Sequence, residues 1–401
     1  VWQNDTEDQD DHSADKIGQI TVVDHRPFIF FCDFHPVFSP PHIFVNFSPY
    51  FSIISSFIPK DKVVFVDTPT VLLYNRRNAA CFTFKEEKGV MKDIKKVTLI
   101  GLGAMGVFFA PRISEKLGAD FRILADGARK ERLERKGVTV NTINYRFPII
   151  TPDVEGDPAD LVIIAVKGYD LEQAIRDIKN QVGKDTIILS VLNGVESEKQ
   201  IAAVYGSEHL LYSYMRISIV MKDGKTEFDP HKGLIHFGDL KNDPEHYSGN
   251  VLAVKSLFDL CGIDYKIDAD MLKGIWFKFM CNVAENMTCA MFGVPFGAFQ
   301  KNDDANFFRH KAMWEVIRIA NKLGIDIGQN EIDRQEHTLG RLPYENKPST
   351  LQDLEVGKRT EVDMFAGTVV RLGKELGVET PVCECFLHGI HLIEARMFKE
   401  I

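Results

Sequence analysis

The chain has 401 residues, 45% of them hydrophobic and 26% charged. That is more than one average domain needs, and enough for a sizeable core in two to three domains at about 150 residues each. Its 48 basic and 57 acidic residues give a formal charge of -9, which argues against a polyanion-binding surface, because phosphate neutralisation needs clustered Lys and Arg. Seven Cys, at 32, 81, 261, 281, 289, 383 and 385, form no CxxC pair and no Cys/His ladder at zinc spacing. No disulfide framework and no metal site are therefore expected, and the cytoplasm is the expected compartment.

Residues 1–90 differ in texture from the rest. They hold twelve of the 29 Phe, no Met, and only Leu72 and Leu73 among the leucines, with no sustained helical or strand period. Residues 37–58 carry no Asp, Glu, Lys or Arg, but Pro40, Pro41 and Pro49 break any spanning helix there. The start, VWQNDTEDQDD, is acidic where a secretory signal is basic. Lys85-Glu86-Glu87-Lys88 is encoded by purine-only codons, as a bacterial ribosome-binding site translated in frame would be. Met91 is thus expected to be the natural start and residues 1–90 an atypical extension of translated upstream sequence. The alternative is a native, poorly structured extension.

From Met91 the pattern is orderly. Val97 to Ile100 reads as a strand, Gly101-Leu102-Gly103-Ala104-Met105-Gly106 turns into a helix, and Phe121 to Ala125 is the next strand. Leu161 to Val166 and Thr186 to Leu192 repeat the theme around a helical stretch, Leu171 to Gln181. Strands alternating with helices predict a doubly wound parallel sheet. Residues 212–221 and 233–237 alternate instead, with Lys222-Asp223-Gly224 as a turn, and predict an added antiparallel portion. Beyond Asp268 the period is helical, broken at Gly293, Gly324 and Pro343. The expected architecture is an α/β Rossmann-type domain over residues 91–267 followed by an all-helical substrate and catalytic domain over 268–401.

Gly101-x-Gly103-x-x-Gly106 stands between a strand and a helix, the context in which such glycines allow a tight turn, a close approach to pyrophosphate and helix-strand packing. Pro111 falls inside that helix and should kink it or end it early. Lys167 and Asn193-Gly194 each follow a predicted strand, at the carboxyl rim where such sheets bind ligands. Lys278, Asn282 and Asn286 are spaced i, i+4, i+8, one polar stripe on an apolar helix. A proton-donating lysine beside two neutral amides suits a small anionic carbonyl compound. Glu285, one position off the stripe, is either a surface residue or a partner for Lys278. Ser349 reads as a helix cap with Gln352 at the capping-box position, and Glu361 lies in the next helical run.

Together these motifs resemble the ketopantoate reductase (2-dehydropantoate 2-reductase) family over residues 91–401. The resemblance implies a helical domain like the C-terminal domain of 6-phosphogluconate dehydrogenase, and NADPH-dependent reduction of 2-dehydropantoate to (R)-pantoate on the way to pantothenate and coenzyme A. It implies Lys278 as general acid and Glu361 as the carboxylate near nicotinamide, ribose and lysine. Asn193, Asn282, Asn286 and Ser349 then contact substrate. Gly101, Gly103, Ala104, Met105, Gly106, Asp126, Arg129, Lys167, Asn193 and Glu361 line the cofactor. The chain departs from the family at Glu285, where an apolar residue is usual, and at Asp126, where an arginine for the 2'-phosphate is common. Asp126 lies 23 residues after Gly103, near the spacing of an acid that holds the ribose 2'-hydroxyl of NAD, so NADH is a second candidate cofactor. The alternatives are a reductase of another 2-oxo acid and a non-catalytic dinucleotide-binding protein. The expected partner is a small 2-oxo acid, with no nucleic acid and no membrane, and a homodimer as the candidate assembly.

Overall fold

The computed structural model describes residues 93–217 and 233–401, together with the backbone of strands at 62–67, 70–75, 80–85, 220–222 and 225–227. The chain divides into two compact units, Val1–Lys88 and Gly89–Ile401. In the first, β1 (Lys62–Asp67), β2 (Thr70–Asn75) and β3 (Ala80–Lys85) form an antiparallel meander with Lys62 opposite Asn75 and Thr70 opposite Lys85. Strands thus form here although the sequence shows no sustained strand period. KVVFVD and TVLLYN carry apolar residues at consecutive positions, so β propensity marks them where alternation does not.

The second unit opens with β4 (Val97–Ile100), then β5 (Phe121–Leu124), β6 (Val138–Val140), β7 (Ile143–Tyr145), β8 (Ile149–Ile150), β9 (Ala159–Ile164), β10 (Val182–Ser190) and β11 (Leu210–Arg216). β12 (Val220–Lys222), β13 (Lys225–Glu227), β14 (Leu234–Gly238) and β15 (Tyr265–Lys266) come next. Eight of them form one sheet in the order β15-β14-β11-β10-β9-β4-β5-β8. It is parallel except at β11 and β14, which pair antiparallel. The expected antiparallel portion is thus real, though the short hairpin β12-β13 joins a separate sheet with β6 and β7. The predicted turn at 223–224 lies outside the described residues.

Central strands buried on both faces explain the uninterrupted apolar runs. Leu99, Leu161, Ile163 and Leu189 enter one core, and Ile100, Val162, Ile164 and Ile188 enter the other. The chain leaves β4 toward β5 on one side and returns to β9 on the other, so the order reverses between the carboxyl ends of β4 and β9. Ligands bind doubly wound sheets at such a crevice.

The helix after β4, Gly106–Leu117, runs through Pro111 without ending there. Its buried face, Val107, Phe108, Phe109, Ala110 and Ile113, holds it against the sheet, and the Arg112 guanidinium donates to the Phe108 carbonyl at 3.2 Å. Beyond Asp270 the chain is helical. Asp270 caps Met271–Cys281 by accepting from the Lys273 amide at 3.1 Å, and Asn302 caps Asp303–Lys322 through the Ala305 amide at 2.8 Å. These helices close with 329–339, 349–355, 368–376 and 381–397 around a second core that includes Met280, Met313, Ile317, Phe365 and Phe386. The breakers fall as expected: Gly293 caps a helix in the left-handed region and Gly324 has φ +79°. Among the described residues no helix is long and apolar enough to cross a membrane.

Candidate active site

Gly101 has φ +97°, and a Cβ there would lie 2.5 Å from the Ala165 carbonyl oxygen; at Gly106 it would lie 1.9 Å from that of Gly101. Only glycine fits either place. At Gly103 a Cβ would meet nothing within 4 Å, so the protein itself does not require glycine there. The open space over Gly103 leaves room for a ligand to approach the backbone, as a pyrophosphate does. Ala104 and Met105 complete the turn, Met105 as N-cap of a helix with no acidic residue in its first turn. The positive end of that helix therefore faces the loop without a competing carboxylate. The donor set fits a dinucleotide.

At the end of β5, Asp126 caps the helix Gly127–Lys136 by accepting from the Gly127 amide at 2.7 Å. Arg129, on the first turn of that helix, is exposed and stands 4.0 Å from Asp170.

A chain of polar contacts links the two domains at the sheet's rim. Lys278, in the last turn of Met271–Cys281, donates from Nζ to Asn193 Oδ1 at 2.8 Å. Asn193 Nδ2 donates to Glu361 Oε2 at 3.3 Å. The same oxygen lies 3.1 Å from Lys167 Nζ, which also reaches Asp353 Oδ2 at 3.4 Å. Lys167 and Asn193 thus come from the carboxyl rim of the sheet, and Lys278, Glu361 and Asp353 from the helical domain. Burial pushes the Lys278 ammonium down to about 8, against the pull of the Glu361 carboxylate. Lys167 is also depressed by burial, but Glu361 and Asp353 outweigh that and hold it above the usual lysine range. Burial raises Asp353, with Lys167 opposing. The arrangement separates the two lysines by function: Lys167 is fixed as a cation, and Lys278 can lose its proton near neutral pH.

The i, i+4, i+8 stripe does not run on unbroken. Residues Asn282–Asn286 form a π-helical turn, which inserts one residue and rotates the next turn of the helix. Asn282 stays half-buried next to Lys278, whereas Asn286 is 6% exposed. Glu285 is neither a surface residue nor a partner of Lys278. It is buried, accepts from Gln335 Nε2 at 2.9 Å and lies 3.8 Å from Arg309; burial raises its carboxyl to about 7 despite Arg309. Ser349 is exposed at the first position of Ser349–Glu355, and Pro348 occupies the N-cap. Gln352 does not close a capping box either: its amide donates to the Lys347 carbonyl at 2.7 Å.

Asp353 and Met364 belong to the site although none of the sequence motifs singles them out. Asp353 comes one helical turn after Ser349, which is a usable signal. Met364 comes shortly after Glu361, in a second π-helical turn, Asp363–Gly367. It fits between the two rim glycines: a Cβ at Gly168 would lie 2.1 Å from its Cε, and one at Gly194, 3.1 Å from its Cγ. Nothing in local sequence pairs those three residues.

A phosphate-ready glycine loop, and an interdomain lysine, amide and carboxylate at the carboxyl rim of the same sheet, mark a two-domain oxidoreductase that works with a nicotinamide dinucleotide. The chain belongs to the ketopantoate reductase family. The PanE/ApbA ketopantoate reductase model matches residues 97–242 and its C-terminal counterpart matches 270–394. Among curated relatives, the uncharacterized oxidoreductase YkpB of Bacillus subtilis is 25% identical over 308 residues, 75% of this chain and 99% of its own. A 2-dehydropantoate 2-reductase of Streptococcus pyogenes is 26% identical over 306 residues, 75% of this chain and 98% of its own. Among solved structures, a ternary complex of D-mandelate dehydrogenase with NADH and anilino(oxo)acetate superposes with TM-score 0.67 at 23% identity, covering 76% of this chain and 99% of that one. A dimeric ketopantoate reductase of Staphylococcus aureus gives 0.60 at 17%, covering 75% and 99%.

Proposed function

We propose that this protein reduces the ketone of a small 2-oxo acid, with 2-dehydropantoate as substrate, (R)-pantoate as product and NADPH as cofactor. The observation that carries the reading is the contact chain Lys278-Asn193-Glu361-Lys167, which puts one depressed lysine at the rim of a dinucleotide-type sheet. When bound, the cofactor supplies hydride to the carbonyl carbon. Lys278 holds the proton that the developing alkoxide takes, and its proton affinity near working pH suits that transfer. Asn193 orients the ammonium by accepting from it, and Glu361 in turn fixes the Asn193 amide. Asn282, one turn along the helix, and Ser349 are proposed substrate contacts, and Asn286 is proposed to shape the pocket from its buried position. Closure of the two domains, keyed by Met364 between Gly168 and Gly194, excludes water from the contact chain. A homodimer is the proposed assembly.

For the cofactor, Asp126 spends one carboxylate oxygen on the Gly127 amide, while Arg129, Lys130 and Arg132 lie on the same helix. A guanidinium grips a phosphate bidentately, which favours NADPH. The nearby carboxylate costs a 2'-phosphate about 1 to 4 kcal/mol per charge pair at about 4 Å, which weakens the discrimination. Rates of NADPH and NADH oxidation over a panel of 2-oxo acids test both parts. The expected result is the highest kcat/KM for 2-dehydropantoate with NADPH, with Arg129→Ala weakening NADPH selectively. A better 2-oxo acid, or a clear preference for NADH, overturns the corresponding part, and no turnover with any of them overturns the whole.

A further inference from the structure

We propose that Arg216 is the anion anchor of this site, its guanidinium holding the carboxylate of the 2-oxo acid whose ketone faces Lys278. The inference rests on the proposed reduction of a 2-oxo acid and names a residue that none of the sequence motifs contains. β11 runs parallel to β10, with Ile188 opposite Leu210 and Leu189 opposite Leu211. Its last residue, Arg216, therefore stands at the same carboxyl rim that presents Asn193. Arg216 Cζ lies 5.0 Å from the centre of the Phe277 ring, and Phe277 is the residue immediately before Lys278. The contact holds the guanidinium alongside the lysine helix, and its charge adds to the burial that depresses the Lys278 ammonium.

Several of the arginines are matched by carboxylates. The buried Arg122 pairs with Asp157, Arg309 with Glu285 and Glu336, and the surface Arg371 with Glu196 and Glu375. Arg216 is half-buried, and among the described residues it makes no ion pair. Arg334 lies over the same ring at 4.8 Å and adds positive potential. A half-buried guanidinium without an ion-pair partner leaves its charge poorly matched. An anion bound at the guanidinium supplies that partner. A 2-oxo acid carries its carboxylate one bond from the ketone carbon, so a single ligand can give the ketone oxygen to Lys278 and the carboxylate to the planar fork of Arg216. The ring of Phe277 fixes the plane of that fork.

The test uses the full chain with NADPH, comparing 2-dehydropantoate with its lactone, which keeps the ketone and masks the carboxylate. In Arg216→Leu, kcat/KM for the acid should fall about 10²- to 10³-fold, and that for the lactone should stay within about threefold. Arg216→Lys, which keeps the charge but not the fork, should recover part of the loss for the acid alone. Equal losses on acid and lactone, or no loss on the acid, overturn the proposal. If the wild type reduces no 2-oxo acid, the functional reading fails by itself, and calorimetric binding of oxamate to wild type and Arg216→Leu decides the anchor. Binding that is lost in the variant upholds it; binding equal in both, or absent from both, overturns it.

Discussion

Replacing Lys278 with Met tests whether the lysine is held at a cost to folding. Its ammonium drops from 10.5 to about 8 in the fold, and at about 1.36 kcal/mol per pH unit the charged form costs about 3 kcal/mol at pH 7. The sign is that of a cation whose proton affinity is lowered by folding. The cost is fully present below pH 8 and is relieved as pH rises toward 10.5, where the unfolded chain also loses the proton. Lys278→Met removes that cost and gives up the 2.8 Å hydrogen bond to Asn193, a loss of about 1 kcal/mol. Glu361 keeps Lys167 as its cation. The variant should therefore be about 2 kcal/mol more stable than wild type at pH 7, and by pH 10 that advantage should have vanished. Urea unfolding of both proteins at the two pH values measures it. A variant less stable at pH 7, or equally stabilised at both pH values, refutes the claim that Lys278 is poised by burial.

Three further outcomes are expected. Glu285, raised by folding from 4.5 to about 7, should cost wild type increasing stability as pH rises from 4.5 through 7. The stability of Glu285→Gln relative to wild type should then grow by about 3 kcal/mol between pH 4.5 and pH 8, and a flat difference contradicts the buried assignment. Gly168→Ala should lower kcat/KM about ten- to hundredfold, because its Cβ meets the Met364 methyl and displaces Glu361 one turn away. Gly168→Ala combined with Met364→Ala should recover much of that loss, and additive losses would contradict the socket. A chain beginning at Met91 should match the full chain in melting temperature and turnover; loss of either shows that residues 1–90 contribute packing.

Much of the fold and site was legible in the sequence because it is local. Buried parallel strands write continuous apolar runs, and glycines at 101, 103 and 106 serve a turn made by neighbouring residues. Lys167 and Asn193 could be placed on the rim because each comes directly after its strand. What failed depended on contacts far apart in the chain or on a change of helical period. The π-turn at 282–286 carries no composition signal, so the stripe reading could not foresee that Asn286 and Glu285 turn inward. Glu285 finds its partners in Arg309 and Gln335, on other helices. Pro111 predicted a broken helix because propensity counts the missing amide and not the five buried side chains that hold the helix to its sheet. Arg216 looks like an ordinary strand-end residue until the Lys278 helix is laid beside it.

The central claim is that Lys278 delivers the proton at a preformed dinucleotide site. Turnover and cofactor affinity of Lys278→Ala measure it most directly. The account predicts kcat lower by about 10²- to 10⁴-fold with NADPH affinity essentially unchanged, and turnover close to wild type would contradict it.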